Sequence, residues 1–401
     1  NLTVQVKQNR VMRVLPRENE AINECWLSDK DRFSYEGLNS EQRLARPLLK
    51  RNGTWKEVEW QVALEFVATE LKRIRDQHGA ASIGALATPH QTLEELFLLG
   101  KLAREFASGN VDFRLRQFDF SGDNRRAGVP WLGMKIADID QLDRVLVVGS
   151  TFRKDHPLIA HRVRQATKRR AQLNLINPVD DDLLMPVAHK AIVAPSAMPA
   201  MLAQVVKAVA EQKAIPLPEP LSGAVGGVAV SDAAQRIAAS LAAGKNAAIF
   251  LGNLAQHHPA ASQLHELGLA LAEVAGARFG FLGEAANSVG GYVAGCVPFG
   301  QKTGLSAAQM LSEPLKAYLL LGVEAELDTH NPHQSVAAMK SAELVVAMSP
   351  YQHMATDYAQ VMLPIAPFTE TAGTFVNTEG TVQSFQGVVR PLGEVRPAWK
   401  V

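Results

Sequence analysis

Apolar residues along this chain fall into short continuous runs that alternate with stretches of helical spacing. The alternation Leu2, Val4, Val6, followed across the polar pair Gln8-Asn9 by an apolar run at 11–15, predicts a β-hairpin. The polar, arginine-containing stretch 17–52 predicts a loop-rich covering layer. A short strand at 55–58 then precedes a helix carrying Ala63, Phe66, Val67, Leu71 and Ile74, which Gly79 stops. A buried strand is expected at 81–87, and Thr92-Leu-Glu-Glu95 is a capping box opening a helix to about residue 106. The same grammar predicts further strands at 144–148, 172–176, 190–194, 247–251, 278–282, 317–321 and 344–348. Helices are expected between them at 158–170, 198–211, 233–242, 260–275 and 333–339.

Such alternation predicts an α/β fold with parallel sheets covered by helices on both faces, behind a small N-terminal β unit. Pro216, Pro218 and Pro220 mark a linker. The expected organisation is a small β/loop unit at 1–53, a first α/β domain at 54–215, a second at 216–386 and an extended tail at 387–401.

Composition narrows the class. With 401 residues, 47% hydrophobic and 20% charged, the chain is an ordinary globular sequence long enough for two or three domains. A net charge of +1 gives no long-range attraction to nucleic acid or to an anionic membrane. No apolar run approaches the roughly 20 residues that span a bilayer. The chain opens without Met directly into a strand pattern, which suggests the middle of a longer polypeptide. Cys25 and Cys296 are its only cysteines, so no disulfide framework exists and a four-thiolate cluster would need outside ligands.

The segment 368–383, Phe-Thr-Glu-Thr-Ala-Gly-Thr-Phe-Val-Asn-Thr-Glu-Gly-Thr-Val-Gln, reads as a buried loop with two tight turns. Gly373 and Gly380 are expected where a side chain would block the backbone, with Asn377 and several threonines capping free donors. Such a loop lies against a large polar ligand or is the remnant of one that did. Gly149, Gly252 and Gly322 each end an apolar strand, where ligands bind in parallel sheets and where a turn also favours glycine. The run 285–295 is too far from Gly-x-Gly-x-x-Gly to assign a dinucleotide. His330 and His333 lack further ligands at metal spacing, and the adjacent His257 and His258 should point apart. The basic run 153–170, including Arg162 and Arg170, reads as a solvated or partner-facing helix.

Taken together, the run 23–38 (Asn-Glu-Cys-Trp-Leu-Ser-Asp-Lys-Asp-Arg-Phe-Ser-Tyr-Glu-Gly-Leu), Arg46-Pro47-Leu48, Gly283–Gly291 and the loop 368–383 resemble the large iron–sulfur subunit (the G subunit) of respiratory NADH:quinone oxidoreductase, complex I. The resemblance implies a molybdopterin-oxidoreductase-like lobe that acts as a scaffold for electron transfer, without molybdenum and with no catalytic or metal-binding residue of its own. Gly149, Gly252, Gly322, Gly373, Asn377 and Gly380 would then line a vestigial cleft. It further implies 2Fe-2S and 4Fe-4S clusters upstream in a ferredoxin-like region. The partners would be that region and other peripheral-arm subunits, on the cytoplasmic face of a bacterial inner membrane or the matrix side of a mitochondrial one. Neither nucleic acid nor direct membrane insertion is expected. Trp26, Arg32, Phe33 and Tyr35 are expected at the junction.

Some family members bind an extra cluster whose fourth cysteine precedes Asp-(Arg/Lys)-x-Arg-Phe. Here Ser28 holds that place before Asp29-Lys-Asp-Arg-Phe33, so the resemblance implies that this cluster is absent. Two other readings remain open on the residues. One is a truncated catalytic molybdopterin oxidoreductase such as a formate dehydrogenase relative. The other is a nucleotide-binding module using the crevice beyond Gly149 or Gly252.

Overall fold

A computed structural model describes residues 1–125, 128–217, 219, 221–298 and 304–401. Pro218 and Pro220 of the expected linker lie outside them. The first hairpin forms as the pattern predicts. Strands β1 (Leu2–Lys7) and β2 (Arg10–Pro16) pair antiparallel across Gln8 and Asn9, both at positive φ. Such a turn matches the natural twist of two strands.

Two larger sheets organise the rest. A seven-stranded sheet has the order β4-β3-β14-β13-β12-β5-β6, from β3 (Leu48–Arg51), β4 (Thr54–Glu57), β5 (Ile83–Ala87), β6 (Val111–Asp112), β12 (Ala317–Leu321), β13 (Leu344–Ser349) and β14 (Val361–Pro364). A five-stranded, all-parallel sheet has the order β11-β10-β7-β8-β9, from β7 (Arg144–Val148), β8 (Gln172–Asn177), β9 (His189–Ile192), β10 (Ala247–Leu251) and β11 (Arg278–Phe281).

Successive side chains of each strand enter different cores, as a period of two requires. In β7, Leu146 and Val148 join one cluster with the helices Met198–Lys213, Asp232–Ala242 and Ala261–Ala275. Val145 and Val147 join another under the helix Pro157–Lys168. The seven-stranded sheet is covered likewise, with Leu319 facing the helices Trp60–His78 and Leu93–Glu105 while Tyr318 and Leu320 face the helices Ala307–Ser312 and Pro332–Ser341.

Strand pairing cuts across the expected boundaries. β7 pairs with β10, and β5 with β12, so each sheet joins residues from both sides of position 215. β3 and β4 form one hairpin across Asn52 and Gly53, so the 53/54 division falls inside a turn, and β3 joins the large sheet through β14. Hydrophobic period locates strands, but their partners are set by long-range packing. The tail from 387 packs back on this sheet, with Val395 buried and Trp60 Nε1–H donating to Glu394 O at 2.7 Å.

The expected buried loop at 368–383 is instead half-buried and contains a third hairpin. Its strands are β15 (Gly373–Val376) and β16 (Val382–Phe385), whose Val382 is exposed.

Candidate functional site

The carboxyl ends of both sheets converge on one cleft of about 270 Å³. Its walls take His90 from beyond β5, Arg116 from beyond β6, Lys154 from beyond β7, Asn253 from beyond β10, Glu284 from beyond β11 and Asp328 from beyond β12. Lys30, in the short helix Asp29–Phe33, also borders it. This is the position at which open parallel sheets place ligands.

Among the described residues Arg116, Glu284 and Asp328 pair with one another in the cleft, whereas Lys30 and Lys154 make no ion pair. Arg116 Nε lies 3.4 Å from Glu284 Oε1 and Arg116 Nη2 lies 3.9 Å from Asp328 Oδ1. His257 Nε2 approaches Glu284 Oε2 at 3.3 Å. Burial alone would raise the pKa of Glu284, but the hydrogen bond and charge of His257, with Arg116, outweigh it and hold the carboxyl below its usual range. For Asp328 the balance reverses, and burial pushes it up. Burial, reinforced by Lys30, lowers His90, which is therefore a neutral imidazole near neutral pH. His258 points elsewhere, with Nε2 3.0 Å from Pro195 O, so the adjacent histidines do diverge.

None of the six glycine and asparagine candidates lines this cleft. A Cβ on Gly252 would lie 2.3 Å from Ser150 Cβ and 2.5 Å from Gly149 O, and one on Gly149 would lie 2.7 Å from Ala255 N. A Cβ on Gly322 would meet Gln91 Nε2 at 2.1 Å. These strand ends are packed against protein rather than open to a ligand. A Cβ on Gly373 would lie 2.2 Å from Thr92 Cγ2, and the glycine borders a separate surface groove with Leu98, Phe385 and Trp399. Gly380 has φ +86° with open space around it, so backbone conformation rather than crowding explains the glycine, contrary to the sequence expectation. Asn377 Oδ1 accepts the N–H groups of Glu379 and Thr381, closing the hairpin turn.

The hairpin segment makes its polar contacts with protein. Val376 N–H donates to Asn287 Oδ1 at 2.9 Å, and Asn287 Nδ2 donates to Gln91 O at 2.9 Å. Leu132 N–H donates to Thr378 O at 2.8 Å, and Ile136 N–H donates to the buried Glu379 at 2.6 Å. Thr374 N–H donates to Glu94 Oε2 at 3.0 Å. Glu370 receives both of its close guanidinium contacts from Arg43 Nη2, at 2.8 and 2.9 Å. The segment therefore ties the five-stranded sheet's lead-in to the large sheet. Asn287 explains the run 285–295, which is the helix Ser288–Val293 and its lead-in, packed on this hub.

The cleft does not fit a pterin nucleotide. Its volume is below the roughly 300–1,000 Å³ of ordinary small-molecule sites. Arg116 is already paired with Glu284 and Asp328, which among the described residues leaves Lys30 and Lys154 as the cleft's unpaired cations. A wider open groove of about 1,150 Å³ passes Arg114, Phe118, Tyr292 and His330. There Arg114 is already bound to Asp112 at 2.8 Å and to Asp123 at 2.5 Å. The donor set for an iron–sulfur cluster is also incomplete. Cys25 is exposed, while Cys296 is buried, and burial raises its thiol pKa. Ser28 caps the helix Asp29–Phe33, accepting from Asp31 N–H at 3.1 Å and donating to Asp31 Oδ2 at 2.6 Å.

The partner-face expectation needs one correction. Arg162 is buried, paired with Asp140 at 3.0 Å and Glu24 at 3.3 Å, so the basic helix faces solvent only through Arg164 and residues 168–170. Of the four residues expected at the junction, Trp26 and Phe33 are 50% and 55% exposed and Arg32 and Tyr35 are half-buried. Polar residues just beyond predicted strands, such as His90, Asn253 and Glu284, were the available signal for the cleft. Reading glycines instead missed it.

Comparison with known proteins agrees with this fold. The chain is 35% identical over 168 residues to the G subunit of NADH-quinone oxidoreductase from Rickettsia felis, covering 42% of this chain and 24% of that protein. It is 32% identical over 169 residues to a formate dehydrogenase-like protein of Staphylococcus haemolyticus, covering 41% of this chain and 17% of the other. The chain thus spans about a quarter or less of the length of these relatives. The structure superimposes on acetylene hydratase from Pelobacter acetylenicus with a TM-score of 0.75 at 15% identity, over 100% of this chain and 66% of that one, which establishes the fold alone. Residues 1–36 match the NDSU1/NuoG-like 4Fe-4S domain of NADH-ubiquinone oxidoreductase. With residues 43–401 matched by the molybdopterin oxidoreductase model, the chain belongs to the molybdopterin oxidoreductase family and has the G subunits of NADH-quinone oxidoreductases among its relatives.

Proposed function

We propose that this chain is a non-catalytic scaffold lobe of the iron–sulfur subunit of an NADH:quinone oxidoreductase. In this reading it supports electron transfer from NADH to quinone by position, keeping cluster-bearing neighbours close together and away from water. The observation that carries the proposal is the segment 368–385, most of whose donors and acceptors are taken by protein, with Thr369 Oγ1 and Asn377 Nδ2 buried without a partner. The pairing of Arg116 with Glu284 and Asp328 in the strand-end cleft supports it further. Among the described residues no helix is long and apolar enough to cross a membrane, consistent with a peripheral subunit. Its place is then the cytoplasmic or matrix face of the membrane. Trp26 and Phe33 would meet the cluster-bearing region and other peripheral-arm subunits.

The second reading, a catalytic molybdopterin oxidoreductase, draws on the formate dehydrogenase-like relative. Elemental analysis for iron and molybdenum, with fluorescence of any acid-released pterin, separates the two. The scaffold reading expects neither metal nor pterin in the purified chain. Stoichiometric molybdenum with pterin overturns it in favour of an enzyme, and stoichiometric iron overturns the inference from Ser28.

A further inference from the structure

Strands β12 and β13 are neighbours in the large sheet, and the turns leaving them gather three side chains outside the cleft. Glu324 and Glu326 follow β12, and His353 follows β13. One ligand atom from each lies within 4.8 Å of those of the other two. His353 Nδ1 is 3.6 Å from Glu326 Oε1, and Tyr358 Oη donates to Glu326 Oε2 at 3.0 Å.

As it stands the cluster is unbalanced. The side chains of His353 and Glu326 are 8% and 12% exposed. Ala355 N–H donates to His353 Nδ1 at 3.2 Å, which puts the neutral ring's proton on Nε2. That nitrogen is buried with no hydrogen-bond partner. Among the described residues no Lys or Arg pairs with Glu324 or Glu326. Two carboxylates and one unsatisfied imidazole at the carboxyl ends of adjacent parallel strands are short of positive charge.

We propose that Glu324, Glu326 and His353 form a binding site for a divalent cation of the zinc class, which takes nitrogen and carboxylate ligands together. The ring gives up its Ala355 contact, so that the lone pair of Nδ1, which already faces Glu326 Oε1, goes to the ion while the proton stays on Nε2. Glu324 and Glu326 each supply a carboxylate ligand and water completes the shell. The site is independent of whether the chain is a scaffold or an enzyme.

The test is calorimetric titration of the chelator-treated chain with Zn²⁺ at neutral pH, with Co²⁺ as a spectroscopic probe. One equivalent should bind, and Glu324→Gln, Glu326→Gln or His353→Gln should each abolish it. Circular dichroism of each variant checks that it folds. No stoichiometric binding by the parent chain, or full binding in any one of the three folded variants, overturns the proposal. Should a variant fail to fold, the parent still decides. A Co²⁺ spectrum with a nitrogen ligand supports the site, and an all-oxygen octahedral spectrum sinks it.

Discussion

The two sheets close their strand ends in different ways. At the five-stranded sheet the closure is mainly backbone. Gly252 N–H donates to Val148 O, and the N–H groups of Leu254 and Ala255 converge on Gly149 O. At the seven-stranded sheet side-chain chemistry is added to the backbone bonds, with Gln91 against Gly322, Arg116 beside Asp328 and reaching across to Glu284 beyond β11, and Glu324 and Glu326 beside His353. The same strand–helix grammar thus produces one end that tolerates no added atom and another whose charges respond to ligands and pH. Backbone closure is rigid because a carbonyl cannot step aside, whereas a side chain has rotamers to choose from.

The largest effect is expected where a charge is both buried and paired at the large sheet. The Arg43 and Glu370 side chains are 4% and 6% exposed. Glu370→Gln should therefore cost about 3–5 kcal/mol in urea unfolding, since Arg43 is left buried and uncompensated. A loss below about 1 kcal/mol would mean that Arg43 finds water or another acceptor, as exposed pairs do. Next, Gly252→Ala should cost about 3 kcal/mol, because its Cβ overlaps backbone. Gly380→Ala should cost only about 1–2 kcal/mol, for left-handed backbone alone. Equal losses at the two positions would break the contrast between crowded and open glycines.

His156 tests the five-stranded side by pH. Burial lowers its pKa from 6.5 to about 4, and its Nε2 has no partner. The unfolded ring takes up a proton below 6.5, while the folded ring refuses one until about 4. Stability should therefore fall as pH drops through that window and level off beneath it. The full contribution is at most about 3 kcal/mol, and His156→Asn should flatten the curve. An unchanged slope in that variant would assign the acid sensitivity elsewhere. The smallest effect is expected in the cleft, where Glu284→Gln should change stability by less than about 1 kcal/mol, since its partner Arg116 is half exposed. A larger loss, insensitive to salt, would show the cleft to be a structural keystone.

Much of the fold was legible because its signals are local. The boundaries of β7, β10 and β12 follow from runs of apolar residues ending in glycine. The capping box at Thr92 is present with both of its hydrogen bonds. β14 and the hairpin β15–β16 were harder. Val361–Pro364 is four residues long, and the turn chemistry around Asn377 dominates the segment that contains β15 and β16.

From the sequence alone, the element types, the parallel α/β class and the family resemblance were determined. Each depends on residue spacing within a few turns or on a short motif. Only the tertiary structure decided which strands share a sheet, that Gly252 faces the Gly149 carbonyl and Gly149 the Ala255 backbone, that Arg162 is buried, and that Glu324, Glu326 and His353 meet. Those contacts join residues far apart in the chain, and their energy appears only once distant segments have packed.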